Sequence, residues 1–228
     1  MSGTGKSTLG AALSDVFHLP FVDGDDLHPA ANVAKMSRGE PLDDADRLPW
    51  LDTIRRTAIA RVLDQLEAHR HRRARGERVE MTRKTEVGEG LSAYEGSMIQ
   101  GGSRETVHDE EWRPGVIVAC SSLKKAYRAV LRGEAQTQTA DRDRSGSTGT
   151  LDAFSLPTYF VYMKGDRDVL MARMQNRKGH FMKAGMLESQ LDTLESPEDE
   201  PAVVTVSVEM STEEQVQRVV EMFTSQGR

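Results

Sequence analysis

Residues 2 to 8 read Ser-Gly-Thr-Gly-Lys-Ser-Thr, and a helical stripe follows at once, with Leu9, Ala12, Leu13 and Val16 at i, i+3, i+4 and i+7. A glycine-rich turn that opens a helix presents successive backbone N–H groups to an anion, and the helix dipole adds to the attraction. With a lysine and a hydroxyl next in line, the segment matches the last part of the phosphate loop G-x-x-x-x-G-K-[ST]. In such a loop Ser2, Gly3, Thr4, Gly5 and Thr8 would cradle phosphates, Lys6 would neutralise the β and γ groups, and the Ser7 hydroxyl would bind Mg²⁺. The chain is thereby restricted to folds in which a parallel sheet delivers this loop at its edge of strand ends.

The motif also calls for a glycine five residues before Gly5, a position that would be residue 0, and for a strand feeding the loop. The sequence therefore predicts a sheet whose first strand is missing, with Met1 standing at an internal position of the fold. Losing that strand would remove central ladder hydrogen bonds and uncover apolar faces. A short form with weakened or lost catalysis is the competing expectation.

Downstream, strands and helices alternate. Short apolar strands are predicted at Leu19–Val22, Val116–Cys120, Thr158–Met163 and Val203–Val208. Helices are predicted near 32–36, 44–69, 123–132, 166–177 and 212–223, the last with Ser211 and Glu214 at capping-box spacing. The pattern predicts an α/β fold with a mostly parallel sheet flanked by helices, built as one domain over residues 1–228. Two stretches break the rhythm. Residues from about 70 to 113 begin with seven Lys/Arg in the fifteen positions Arg70 to Lys84, and residues 134 to 155 are rich in Thr, Asp, Arg, Ser and Gly. Both read as solvated insertions.

Composition narrows the function classes. With 30 Lys+Arg against 36 Asp+Glu the net charge is −6, so no global positive field argues for nucleic acid or an anionic membrane. Any anion must be met locally. The single cysteine, Cys120, excludes an internal disulfide framework and suits a reducing compartment. No run approaches the roughly 18 apolar residues of a membrane span. A cytoplasmic chain with no nucleic-acid and no membrane partner is expected.

Asp23 and Asp25 stand two apart at the carboxyl end of a predicted strand, where open α/β sheets place ligands. Asp23 is the candidate for Mg²⁺, and Asp25 for orienting and deprotonating an acceptor hydroxyl. Helix capping is the plainer use of such residues. Lys124 and Arg128, four apart near the start of a predicted helix, and Arg47 in Asp-Arg-Leu-Pro-Trp supply local positive charge suited to a carboxylate. Arg173 and Arg177 are again four apart. They read equally as arginines closing over a nucleotide and as a surface helix ended by Gly179.

Taken together these residues resemble gluconokinase of the short P-loop type, a relative of shikimate and adenylate kinases. The resemblance rests on SGTGKST, FVDGDDLHPAANVAKMSRGEPLDDADRLPWL, VIVACSSLKKAYRAVLR, YFVYMKGDRDVLMARMQNRKGHFM and SQLDTLESP, in family order. It implies a three-layer P-loop kinase fold whose full sheet has five parallel strands, ATP-dependent phosphorylation of D-gluconate to 6-phosphogluconate for the pentose phosphate pathway, Mg²⁺ as cofactor, and a homodimer. By position it implies that Gly3 to Thr8 hold ATP phosphates, that Asp25, His28, Arg47, Lys124 and Arg128 surround the sugar acid, and that Arg173 and Arg177 are lid arginines, Lys6, Asp25 and Arg177 being the catalytic set. A shikimate-kinase-like transferase for another hydroxy acid and a non-catalytic binding remnant are the alternatives.

Overall fold

The computed structural model describes residues 3–76, 113–134, 156–176 and 184–226. The chain divides into two compact units, Met1–Val62 with Gly115–Arg228, and Leu63–Pro114. Of the segments read as insertions, residues 77–112 and 135–155 lie outside the described residues, as do Ser2 and Arg177 of the predicted site.

The order of elements is α1 (Lys6–Phe17), β1 (Phe21–Asp23), a 3₁₀ turn (Gly24–Leu27), α2 (Ala30–Ser37), α3 (Asp44–Ala74), β2 (Ile117–Ala119), α4 (Lys125–Arg132), β3 (Phe160–Lys164), α5 (Arg167–Asn176), α6 (Ala184–Thr193), β4 (Val203–Ser207) and α7 (Thr212–Gln226). Helix α3 passes from the first unit into the second. The capping box forms as its spacing predicts, since Ser211 N–H donates to Glu214 Oε2 at 2.7 Å and Glu214 N–H to Ser211 Oγ at 3.2 Å. Helix α6 is an addition to the predicted set. Its Leu187 and Leu191 are four apart and continue to Leu194, a stripe that periodicity alone would reveal.

Among the described residues all strand pairing is parallel. β1 pairs with β2, Phe21 opposite Ile117 through Asp23 opposite Ala119, and β3 pairs with β4, Phe160 opposite Val203 through Lys164 opposite Ser207. Among the described residues the parallel sheet consists of these two pairs, and no strand carries the ladder from β2 to β3. A cavity of about 70 Å³ is lined by Thr4, Lys6, Cys120 and Ser121 and by Phe160, Val161, Tyr162 and Met163. Successive strand residues point to opposite faces, so four in a row mark the edge of β3 rather than one of its faces. Ile117, Val118, Phe160 and Val161 are correspondingly only half-buried.

The core gathers Leu9 and Leu13 of α1, Trp50, Leu51 and Ile54 of α3, and Val204, Val206 and Val219 from β4 and α7. Where β1 ends, Gly24 is required by close approach: a Cβ there would lie 2.8 Å from the Ala119 carbonyl oxygen and 3.0 Å from Cys120 Cβ. Gly24→Ala is expected to cost about 1–3 kcal/mol by forcing β1 away from β2, measured as a lowered urea midpoint.

Candidate active site

The phosphate loop has the backbone its glycines predict. Gly3 and Gly5 hold φ of +77° and +88°, and between them Thr4 is buried at 2% exposure. Gly5 caps α1, and Leu9 N–H donates to its carbonyl at 2.9 Å, which closes the first turn of the helix directly after the loop.

β1 delivers the carboxylates to this loop. Ser7 Oγ donates to Asp23 Oδ2 at 2.6 Å, and the other oxygen of Asp23 accepts the N–H of Asp25 at 3.0 Å, which starts the 3₁₀ turn. A hydroxyl and a carboxylate oxygen thus already converge, the hard donors that Mg²⁺ takes together with water and phosphate. Asp25 follows on the exposed turn. No cluster of three or more His, Cys, Asp or Glu side chains suited to a metal occurs among the described residues. Burial pushes the Cys120 thiol up to about 11, which removes it as a nucleophile near neutral pH.

His28, just beyond the turn, stacks on Trp50 with ring centroids 4.2 Å apart and planes at 11°, while Trp50 Nε1 donates to the Gly24 carbonyl at 2.7 Å. Burial holds the His28 ring below the usual histidine pKa; nearby Asp25 opposes the shift and Arg47 adds to it.

Among the described residues two arginines are buried, and their surroundings differ. Arg128, 1% exposed, uses all five N–H donors within the protein. Its Nε and Nη2 bond Glu200 at 2.6–3.1 Å, Nη1 donates to the carbonyls of Ser122 and Leu123 at 2.8 and 3.1 Å, and Nη2 also donates to the Glu195 carbonyl at 3.0 Å. Arg47, 7% exposed, has no acid in ion-pair reach among the described residues. Its guanidinium lies 5.9 Å from the Tyr127 ring centroid. Asp44, whose carboxyl senses the Arg47 charge, is occupied by Lys124 Nζ at 2.7 and 2.8 Å and by the Tyr127 hydroxyl.

With the site assembled, the chain can be compared with known proteins. No family model matches it. It is 32% identical to the gluconokinase of Arabidopsis thaliana over 99% of this chain and 89% of that protein. It is 31% identical to a probable gluconokinase of Schizosaccharomyces pombe over 93% of this chain and 79% of that one. The chain belongs to the gluconokinase family. Among solved structures, a gluconokinase from Sinorhizobium meliloti 1021 superposes with a TM-score of 0.60 at 29% identity, covering 100% of this chain and 94% of the other. This gluconokinase-family chain is accordingly a kinase of the P-loop fold.

Membership does not assign the side chains. The structure brings together Lys6, Ser7, Asp23 and Asp25 around the loop, and His28 and Arg47 beside them. Arg128 spends its donors on Glu200 and on backbone carbonyls. At the start of α4, where an anion was expected, Glu195 Oε2 accepts Lys125 N–H at 2.6 Å. Lys124, predicted to share a helix face with Arg128, sits outside the helix in extended conformation, and its charge is matched by Asp44. Arg173 is exposed on α5, and its predicted companion Arg177 lies outside the described residues. Sequence reasoning passed over Asn32, Trp50, Asp44 and Tyr127. The signal for Trp50 was its place in the Arg47–Trp50 run; a single Asn or Tyr on a helical stripe carries none.

Proposed function

We infer that the protein transfers the γ-phosphoryl group of ATP to D-gluconate, giving 6-phospho-D-gluconate and ADP. The observation that carries this reading is Arg47. A buried guanidinium without a carboxylate is costly in a folded protein, and a substrate carboxylate supplies the missing partner with bidentate geometry. Asp25, electrostatically coupled to the His28 that also senses Arg47, then serves the other end of the same small acid.

In this mechanism the loop from Gly3 to Thr8 binds the phosphates through backbone N–H groups, and Lys6 neutralises the oxygens of the group in transit. Mg²⁺ held by Ser7 and Asp23 would draw charge from the phosphate oxygens when bound. Arg47 fixes the gluconate carboxylate, and Asp25 accepts the proton of the C6 hydroxyl as its oxygen bonds phosphorus and the bridge to ADP breaks. Arg173 and Arg177 belong to the proposed lid, and Lys124 to the rim. A cytoplasmic location and a homodimer complete the reading; among the described residues no helix is long and apolar enough to cross a membrane.

ADP release with gluconate, shikimate or a nucleoside monophosphate as acceptor tests the assignment. Turnover restricted to gluconate is expected; turnover of another acceptor with gluconate ignored would reject it. Arg47→Leu is expected to raise the gluconate KM about 10- to 100-fold, leaving the ATP KM unchanged. Because the variant also removes a buried unpaired charge, its melting temperature is expected to hold or rise. A purely structural Arg47 would give the opposite pattern.

A further inference from the structure

Asn32, on α2, is 4% exposed. Its side-chain nitrogen donates to the Asp46 carbonyl at 2.8 Å and lies 3.5 Å from Nδ1 of His28. The first contact settles which way round the amide sits, since the opposite orientation would set one oxygen against another. The same nitrogen can only donate, so the Nδ1 it faces has to be the bare, accepting nitrogen of the ring. The proton of a neutral His28 is then on Nε2, for which no protein acceptor occurs among the described residues. Stacking on Trp50 fixes the ring plane. Asp46, the residue whose carbonyl Asn32 grips, directly precedes Arg47.

We propose that Asn32 is a positioning residue for the acid substrate: it holds His28 as the Nε2–H tautomer, a fixed donor to a substrate hydroxyl, and ties that donor to the turn carrying Arg47. The proposal rests on the gluconate reading above. A sugar acid carries hydroxyls between its carboxylate and its reacting end, and Asp25 and Arg47 address only the ends. A neutral imidazole locked to one tautomer discriminates such a hydroxyl, because a wrong stereocentre leaves its N–H unpaired. The charged groups coupled to the ring are Asp25 from the 3₁₀ turn and Arg47 from α3, and the Asp46 carboxylate is itself held by Lys35.

Long-range ¹H–¹⁵N spectra of the wild-type imidazoles read the tautomer directly, with no variant needed. His28 is expected as Nε2–H, titrating below an ordinary histidine. In Asn32→Asp a carboxylate replaces the donor facing Nδ1, so the proton should move to Nδ1 and the titration should shift upward. The gluconate KM is then expected to rise about tenfold while the ring is neutral, less at lower pH where protonation restores Nε2–H, with the ATP KM unchanged. An Nδ1–H tautomer in the wild type overturns the proposal, as does Asn32→Asp with wild-type gluconate KM and pH profile. A wild-type protein that shows Nε2–H but ignores gluconate overturns the substrate assignment and the role in reading it, not the tautomer. Gluconate turnover with Nδ1–H overturns this proposal alone.

Discussion

Asp25→Asn is expected to lower kcat for gluconate by roughly 10²- to 10⁴-fold, the range that a positioned proton acceptor contributes. The amide keeps the shape of the carboxylate and loses its basicity. Little else changes, because Asp25 is exposed and the bond that builds its turn is made by its backbone N–H to Asp23 rather than by its side chain. Unfolding free energy is therefore expected to stay within about 0.5 kcal/mol of wild type, as for surface substitutions generally. Asp23→Asn is the useful contrast, since that carboxylate receives both Ser7 Oγ and the Asp25 N–H. Steady-state kinetics beside thermal melts separate the two positions. If Asp25→Asn retained kcat within tenfold, proton acceptance by Asp25 would be rejected and its role reduced to binding.

The contrast shows which parts of the site a sequence exposes. The phosphate loop and the meeting of Ser7 with Asp23 were legible because the loop is a local motif with glycines whose positive φ is a local demand, and because α1 and β1 follow one another in the chain. Strand–helix alternation was legible for the same reason, and the capping box formed from two residues three apart. What stayed hidden depends on partners distant in the chain. Lys124 and Arg128 have the spacing of a shared helix face, and Arg128 N–H does donate to the Lys124 carbonyl at 3.2 Å, yet Lys124 is the extended N-cap of α4 and its side chain pairs with Asp44. The cap of α4 comes from Glu195, 70 residues on, and the acid that neutralises Arg128 is 72 residues on. Neither is announced by any local pattern. A basic pair near a strand end therefore reads as an anion site until its acids are seen.

Arg47 illustrates the converse. In the sequence it is one cation among several, and the structure singles it out because no carboxylate among the described residues pairs with it, while Arg128, also buried, is saturated. On the proposed reading, two buried guanidiniums divide between binding and architecture by the carboxylates within their reach.

Glu200→Ala tests that division from the architectural side, with an expected loss of about 3–5 kcal/mol of stability, the usual cost of leaving a buried charge without its partner. The Arg128 side chain is 2% exposed and that of Glu200 9%, and Arg132 Nη1 adds a second ion pair to the same carboxylate at 2.9 Å. Water cannot readily replace the lost carboxylate. Hydrogen bonding from Arg128, then from Arg132, holds the Glu200 pKa below the ordinary value. Its stabilising effect is therefore fully present above the ordinary glutamate pKa and is lost as pH falls through the lowered one. The gap between wild type and Glu200→Ala should accordingly narrow in acid. Arg128→Met is expected to cost at least as much, because it also strands the carbonyls of Ser122, Leu123 and Glu195. Combining the two should cost less than their sum, since the double variant leaves neither member of the pair charged and alone. Urea titrations at neutral and acid pH measure all of this. A Glu200→Ala midpoint indistinguishable from wild type would sink the assignment of Arg128 to the fold and return it to the list of candidate gluconate ligands.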